Sequence, residues 1–512
     1  MILLIHDNKS VISVEDLNSN TKITVSNLSI VNTLFFLSKE YDEFVIWIHK
    51  DIQNQLNYDE LNSIFHHKKI MASFSNTNYF QAEIGYVHDS NPSINVNKNV
   101  SYGTWLMTST VGGIHLNIIK ALNKNTFAKD SFNYFLHSIA ILGMYKESLF
   151  CYSEPKLLKN SISIELPKSS VKELFTFVYQ HQKLQWSFSL LLNFIIFNKE
   201  IPLIALINSF FYKKRSIKNN IFDDIEVKSS QLINSNFDID VIIPTIGRKN
   251  YLHDVLKDFS KQTILPKKII IVEQNPIPES QSELDYITNE KWPFPIEHIF
   301  INQTGACNAR NLALSKTQSE WVFLADDDNR FDENLLQSLY DSIKKHGCFA
   351  ITTSYLQHNE KQILTKVLQW PTLGAGNSII KRDCLKNINF DMRFEFGYGE
   401  DADFGMQLRN IGIDIIYFPK PNILHLKAPV GGFRTKPVLP WHLEKIQPKP
   451  SPTIMLFALL HKTEHQLKGY KTRLFIKNYK NHSIKNPFRY IKSMEKQWKQ
   501  SVVWANYLKN KI

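Results

Sequence analysis

From Asp238 onward the chain alternates apolar runs of strand length with polar stretches of helical periodicity. "IDVIIPT" is followed by "NYLHDVLKDFSKQ", "KKIIIVEQN" by "IEHIFIN", and "GACNARNLALSKT" precedes "EWVFLADDD". Strands separated by helices of about a dozen residues pack as βαβ units around a mostly parallel sheet, an α/β fold. Ligands of such sheets sit at the carboxyl ends of the strands. Pro244, Thr245, Glu273, Gln274 and Asp326 to Asp328 all end strands in this pattern, so one rim gathers them.

The segment "EWVFLADDDNRFDENLL" (320–336) has an earlier relative, "EFVIWIHKDIQNQLNYDEL" (43–61). "LSKEYDEFV" (37–45) lies on "LSKTQSEWV" (314–322), and "STVGGIHLNIIKALNKNTF" (109–127) on "TLGAGNSIIKRDCLKNINF" (372–390), both without a gap. "ILLIHDN" matches "IIIVEQN" (269–275), and 142–159 resembles 411–425. Blocks repeated in order indicate an internal duplication. Residues 1–165 are read as a shortened copy of the domain at 236–435, without a counterpart of "DVIIPTIGR". "SISIELPKSSVKELFTF" (161–177) is a candidate for that strand and helix. Residues 166–235 read as a helical connector and linker, and 436–512 as a basic helical tail.

In this alignment Asp326, Asp327 and Asp328 face His49, Lys50 and Asp51, while Arg310 and Asn311 face Thr33 and Leu34. Glu400 and Asp401 face Ser131 and Phe132 approximately, and His425 faces Lys159. A lysine repels a cation, so the first copy is expected to lack metal-dependent chemistry. It would serve structure, bind an acceptor or partner, or bind a nucleotide without metal through Lys50.

Hydrophobic residues make up 43% of the chain and charged residues 21%, which excludes a disordered chain and allows sizeable cores. The four cysteines have no C-x-x-C spacing, which argues against a disulfide framework or zinc site and suits a reducing, cytoplasmic setting. The start, "MILLIHDNKS", reads as a strand and not as a signal peptide. "LQWSFSLLLNFIIFNKEIPLIALINSFFY" (184–212) is broken at Asn198 to Pro202. A bilayer span needs about 20 consecutive apolar residues, so two buried or interfacial helices are expected. Eleven of the twelve excess positive charges fall between Lys462 and Ile512, interleaved with aromatics. That tail suits an anionic membrane surface, nucleic acid less so, or simply a solvated helical face.

The acid triplet carries the chemistry. Three carboxylates at a strand end repel one another unless a cation intervenes, and hard oxygen ligands suit Mg²⁺ or Mn²⁺ bridging to phosphates. The alternative is a helix N-cap, a role Asp332 can fill instead. His425 ends another apolar strand and is either structural or a ligand.

Taken in order, "DVIIPTIGR", "TGACNARNLAL", "FLADDD", "GAGNSIIKRD" and "GYGEDADFGMQLRNIG" resemble a glycosyltransferase of family 2, with the GT-A fold, over residues 237–435. That resemblance implies two GT-A-like domains and an inverting transfer from a nucleotide-sugar donor, UDP-linked, to a glycan or glycolipid acceptor. It implies a nucleoside held by Pro244, Thr245 and Glu273 with Arg248 nearby, and a nucleotide beside Arg310, Asn311, Asp326 and Asp327. The free N–H groups of the helix carrying Arg310 would favour the anion. Asp326, Asp328 and His425 would hold the metal, Asp401 would be the general base, and Glu400 would assist with the acceptor. Arg434 would meet the diphosphate, and "WPTLGAGNSII" (370–380) would be the acceptor-side strand, where Gly374 and Gly376 allow close backbone approach or simply form a bulge. No Q-x-x-R-W motif is present, so a non-processive enzyme is expected, in bacterial surface polysaccharide or lipopolysaccharide assembly at the inner face of the membrane. A nucleotidyltransferase would need a basic phosphate-gripping loop, of which "PTIGRKN" is a poor version. A non-catalytic sugar-nucleotide or glycan-binding protein would share the motifs without turnover.

Overall fold

The computed structural model describes the chain except residues 26–27, 89–94, 161–163, 165–166, 232, 234–236, 430–436 and 512. It divides into two compact units, Met1–Gln231 with Lys462–His482 and Leu232–His461 with Ser483–Ile512. Each unit is an α/β domain built on its own sheet.

The first sheet contains β1 (Ile2–His6), β2 (Val11–Asp16), β3 (Thr21–Lys22), β4 (Phe44–His49), β5 (Ile70–Phe74), β6 (Tyr102–Gly103), β7 (Val111–His115) and β8 (Phe150–Ser153). Their order is β3-β2-β1-β4-β7-β5-β8-β6. The second contains β9 (Ile239–Thr245), β10 (Lys268–Gln274), β11 (Ile296–Ile301), β12 (Trp321–Ala325), β13 (Asn329–Arg330), β14 (Ala350–Leu356), β15 (Leu368–Gln369), β16 (Asn377–Lys381) and β17 (Ile416–His425). Its order is β11-β10-β9-β12-β16-β14-β17-β13, with β15 also on β17.

From β1 and from β9 onward the neighbours follow one succession: parallel, antiparallel, antiparallel, parallel, antiparallel. Before that point they differ. β9, β10 and β11 are all parallel, the first two joined through the helix Lys249–Ser260 and the last two through the short helix Tyr286–Asn289, whereas β1, β2 and β3 form antiparallel hairpins. Only Asp7–Ser10 separates β1 from β2, too short for the crossover a parallel pair requires. Both sheets are therefore more mixed than the strand–helix alternation suggests.

This topology corrects the sequence alignment. β1 sits beside β4, where β9 sits beside β12, so "ILLIHDN" takes the place of "DVIIPT" and not of "IIIVEQN". The element without a counterpart is the helix and parallel strand that follow. The strand sought in "SISI" falls mostly outside the described residues, and Val171–His181 is a helix whose Phe175, Phe177 and Val178 fill the first core. Register shows a second slip. Ile48 pairs with Val111 and Ala325 with Asn377, so 109–127 is three residues out against 372–390 in this strand.

In the second unit β12 is buried throughout, which suits a strand covered on both faces. Val322 and Leu324 pack with Ile242 and Ile270 against Cys307, Ala309 and Ala313 of one helix and Phe404 and Leu408 of another. Each such apolar side chain contributes roughly 1.5–3 kcal/mol when fully buried. The result is a rigid floor under the ends of β9, β10 and β12.

The tail is not a separate body. Its helix Glu464–Tyr479 belongs to the first unit, and Pro487–Asn510 packs in the second through Tyr490, Met494, Trp498 and Leu508. Many of its lysines are exposed on these helices, whereas Arg473 turns inward and donates to Tyr86 O at 2.9 Å. Among the described residues no helix is long and apolar enough to cross a membrane.

Candidate active site

The buried strand β12 carries its apolar run as far as Ala325 and then releases Asp326, Asp327 and Asp328 at the sheet rim. Asp332 does not cap the following helix with its side chain. Gln262 Oε1 accepts from Leu336 N there at 3.1 Å, and Gln262 donates to Asp332 O at 2.7 Å. The triplet is thus left for other work, and its three acids point to three different partners.

Asp327 is buried and structural in its contacts. Thr245 Oγ1 donates to it at 2.7 Å and Arg248 at 2.6 Å. Burial outweighs both partners and pushes its carboxyl up to about 6. Asp326 accepts from Arg310 at 3.1 Å, and the Tyr355 hydroxyl lies 3.0 Å from its other oxygen. Gly376, just before β16, lies beneath Asp326, where a Cβ would collide with the carboxylate. The glycine permits that close approach.

Asp328 is held differently. Residue 329 pairs with 425 in the β13–β17 ladder, and Leu426 N donates to Asp328 O at 3.0 Å. The ladder brings His425 Nε2 to 3.5 Å from Asp328 Oδ1, the outer limit of hydrogen bonding. Asp328 Oδ2 accepts from Ala428 N at 2.8 Å and lies 3.2 Å from Arg248, while Oδ1 is buried without a hydrogen bond. Burial raises this carboxyl, but His425, Arg248 and Ala428 outweigh it and hold it below its ordinary range. Tyr355 stacks flat on His425 at 4.5 Å, fixing the imidazole plane. Sequence reading missed Tyr355; "ITTSYL" ends a strand at the same rim, which is the signal that could have found it.

Glu400 and Asp401 open the helix Glu400–Asn410, whose cap Gly399 has φ 113°, a conformation that suits glycine. Asp401 accepts from the Ala375 backbone, and its Oδ1 is buried without a partner. Burial raises Asp401 to about 7, with Glu400 and Asp326 adding to the rise and Arg310 opposing it. Glu400 is raised too, chiefly by burial. Arg310 is buried and acts on Asp326, Asp401 and Glu400 together. One guanidinium therefore balances three carboxylates, and the cluster keeps an excess of negative charge.

Other sequence candidates have contacts that bind them elsewhere. Asn311 Nδ2 donates to Phe390 O at 2.7 Å and its Oδ1 accepts from Phe390 N at 2.8 Å, so its amide closes a backbone pair. Glu273 accepts from Ser282 Oγ at 2.5 Å and Glu283 N at 3.2 Å, with His298 Nε2 at 2.9 Å. These partners outweigh burial and lower its carboxyl. Pro244 lies in β9 against Val272 of β10. The helix Ala306–Ser315 was expected to offer its N–H groups to an anion. It already has one in Glu395, which accepts from Cys307 N at 3.1 Å and Asn308 N at 2.8 Å. No sequence pattern marks Glu395, which lies about eighty residues further along. Arg434 lies outside the described residues.

For a divalent cation, the buried, unpartnered Asp328 Oδ1 beside His425 is a fitting pair of ligands. No group of three such ligands exists among the described residues. Two suffice for an ion that keeps waters and takes substrate phosphate oxygens.

The sequence model of the family described as "Glycosyl transferase family 2" matches residues 240–402, which span β9 to the start of the Asp401 helix. This segment belongs to that family. The glycosyltransferase GlyG of Streptococcus pneumoniae serotype 4 is 24% identical over 122 residues, covering 24% of this chain and 40% of that relative, so the chain spans less than half of its length. A solved structure of S. aureus TarS 1–349 in complex with UDP-GlcNAc is 17% identical, with a TM-score of 0.37, over 52% of this chain and 79% of that one. The Pyrobaculum calidifontis mannosyltransferase PcManGT, in complex with GDP-Man and Mn²⁺, is 14% identical, with a TM-score of 0.31, over 53% and 73% of the two chains.

Proposed function

We propose that the family 2 segment transfers a sugar from a nucleoside diphosphate donor, UDP-linked, to a hydroxyl of a glycan or glycolipid, with inversion at the anomeric carbon. The observation that carries this reading is Asp401, a buried carboxylate raised to about 7 with one oxygen unpartnered. A base titrating near the working pH can take a proton and release it, which is what attack by an acceptor hydroxyl demands. Asp401 accepts that proton on Oδ1, and Glu400 beside it orients the acceptor. Arg310 keeps Asp401 ionised enough to act and fixes Asp326.

Asp328 and His425 would hold Mg²⁺ or Mn²⁺, which when bound neutralises the diphosphate leaving group. Thr245 and Arg248 brace Asp327, so the strand end keeps its shape as the donor arrives. In direct displacement, base and leaving group lie on opposite faces of the sugar, hence inversion. We further propose that the first unit is a diverged copy without transfer chemistry, supported by the common succession of strand senses and by His49 and Lys50 at the rim. The setting that suits such an acceptor is the inner face of a bacterial membrane, in surface polysaccharide assembly.

Calorimetric titration of UDP into the full chain, with Mn²⁺ and then with EDTA, tests the donor site. Heat seen only with the metal is expected. Metal-independent binding would move the nucleotide away from Asp328.

A further inference from the structure

The stretch 184–212 turns its side chains the wrong way for water. In the helix Leu184–Asn193 the buried side chains include Ser187 and Asn193, and in Leu203–Ser209 they include Ser209. Asn193 Oδ1 accepts from Thr472 at 2.8 Å, Ser209 donates to Leu206 O at 2.6 Å, and Ser187 Oγ is buried with no partner. Phe188, Ile201, Ile204, Ile207, Phe210 and Phe211 face outward, with Ile204 77% and Phe211 83% exposed. Phe188 and Phe210 lie 6.2 Å apart across the two helices, so the apolar face is continuous between them. Soluble chains rarely expose such patches without a partner.

The charges around this face are mostly positive. Between Leu174 and Phe222 the sequence has Lys183, Lys199, Lys213, Lys214, Arg215 and Lys218, and one acid, Glu200. Arg215 is taken by Asp130, while Lys183, Lys199, Lys213 and Lys218 are exposed. An apolar face with phenylalanines and a lysine rim fits the boundary between anionic headgroups and acyl chains. Neither helix is long enough to span the hydrocarbon, which leaves a position in the plane of the interface.

We propose that this helical face seats the chain on an anionic lipid bilayer by inserting its apolar side chains into one leaflet. The basic C-terminal helices also expose apolar side chains, Phe488 and Val503 among them, but the proposal makes 184–212 and not the tail the principal anchor. The proposal stands independently of the transfer reading, because its readout is binding and not turnover.

The test is flotation of the full chain with vesicles of phosphatidylcholine alone and of phosphatidylcholine with an equimolar share of phosphatidylglycerol. The wild-type chain should float with the anionic vesicles. The variant I204S/F211S changes two exposed side chains, so its thermal midpoint should be unchanged while its affinity falls about tenfold or more. Replacing lysines in 485–511 by glutamine should cost less than the apolar variant. Failure of the wild type to float, or equal flotation of I204S/F211S, would overturn the proposal. Sedimentation without lipid covers the rival occupant: a dimer that I204S/F211S makes monomeric would assign this face to a second copy.

Discussion

The strands β4 and β12 occupy the same place in their sheets and end in different chemistry. After Ile48 come His49, Lys50 and Asp51; after Ala325 come three aspartates. The comparison sharpens at the helix that follows the antiparallel strands. Register makes Ser109 the counterpart of Ala375, and Asn133 Oδ1 accepts from Ser109 N at 3.0 Å, as Asp401 accepts from Ala375. The counterparts of Glu400 and Asp401 are thus Phe132 and Asn133, one residue on from the sequence alignment. An amide holds the position in one unit and a carboxylate in the other. The hydrogen bond that orients the side chain therefore belongs to the fold, and the charge belongs to the chemistry.

The sharpest way to break this comparison is to make the second unit resemble the first. Asp401→Asn should retain the Ala375 bond and lose the base, lowering kcat by about 10²–10⁴ with KM for the donor little changed. Asn133→Ala should leave turnover untouched. Equal losses from both variants would end the division of labour.

A stability experiment follows at similar size. Arg215 makes a two-pronged pair with Asp130 at 2.5 and 2.6 Å, between the rings of Phe127 and Tyr134. Both partners are largely buried, so Arg215→Ala should cost roughly 3–5 kcal/mol in denaturant unfolding of the first unit. Turnover per folded molecule should stay the same. In the second unit Arg310→Ala should instead reduce turnover, because its guanidinium serves three acids.

Asp401 also links activity to pH. Its carboxyl is raised in the folded state, so the folded chain binds a proton more tightly than the unfolded one. Stability then falls as pH rises from about 4 towards 7, while kcat/KM rises through about 7 and levels off. Asp401→Asn removes the buried charge. At pH 8 it should raise the unfolding free energy by on the order of 2 kcal/mol, with a much smaller gain near pH 4. No pH dependence of the difference would mean that Asp401 is not raised.

The strand–helix alternation showed the second fold because each buried strand is written as an unbroken apolar run. It also showed which acids sit at strand ends. Partnerships across distance were not legible. Glu395 on the helix N-terminus and the Asn311–Phe390 pair join segments tens of residues apart without a periodic signal, and Tyr355 on His425 depends on which strands pair, β14 with β17. The misplacement of β1 has a simple cause. Short apolar strands resemble one another, and only the neighbour in the sheet decides which is which. The tail misled for a related reason: composition revealed its charge, while the few apolar residues that dock Pro487–Asn510 were masked by it.

The smallest effect is expected at Lys50, and it bears most directly on what the first unit does. Lys50 is exposed on the turn Lys50–Gln55 beside buried His49, at the position where the second unit has buried Asp327. If its ammonium stood in for a cation, a diphosphate would bind there without metal, and Lys50→Gln would remove that binding. The hydrogen bonds of Asp327 argue against equivalence, because Thr245 and Arg248 hold it inward, whereas Lys50 faces solvent. Lys50→Gln should therefore change metal-dependent UDP affinity by less than about twofold, within the reach of an exposed charge. Measured calorimetrically with EDTA present, the wild type and the variant should both give no heat. Binding in EDTA that vanishes with Lys50→Gln would make the first unit a second nucleotide site, and the contrast between β4 and β12 would become one between two ways of holding a diphosphate.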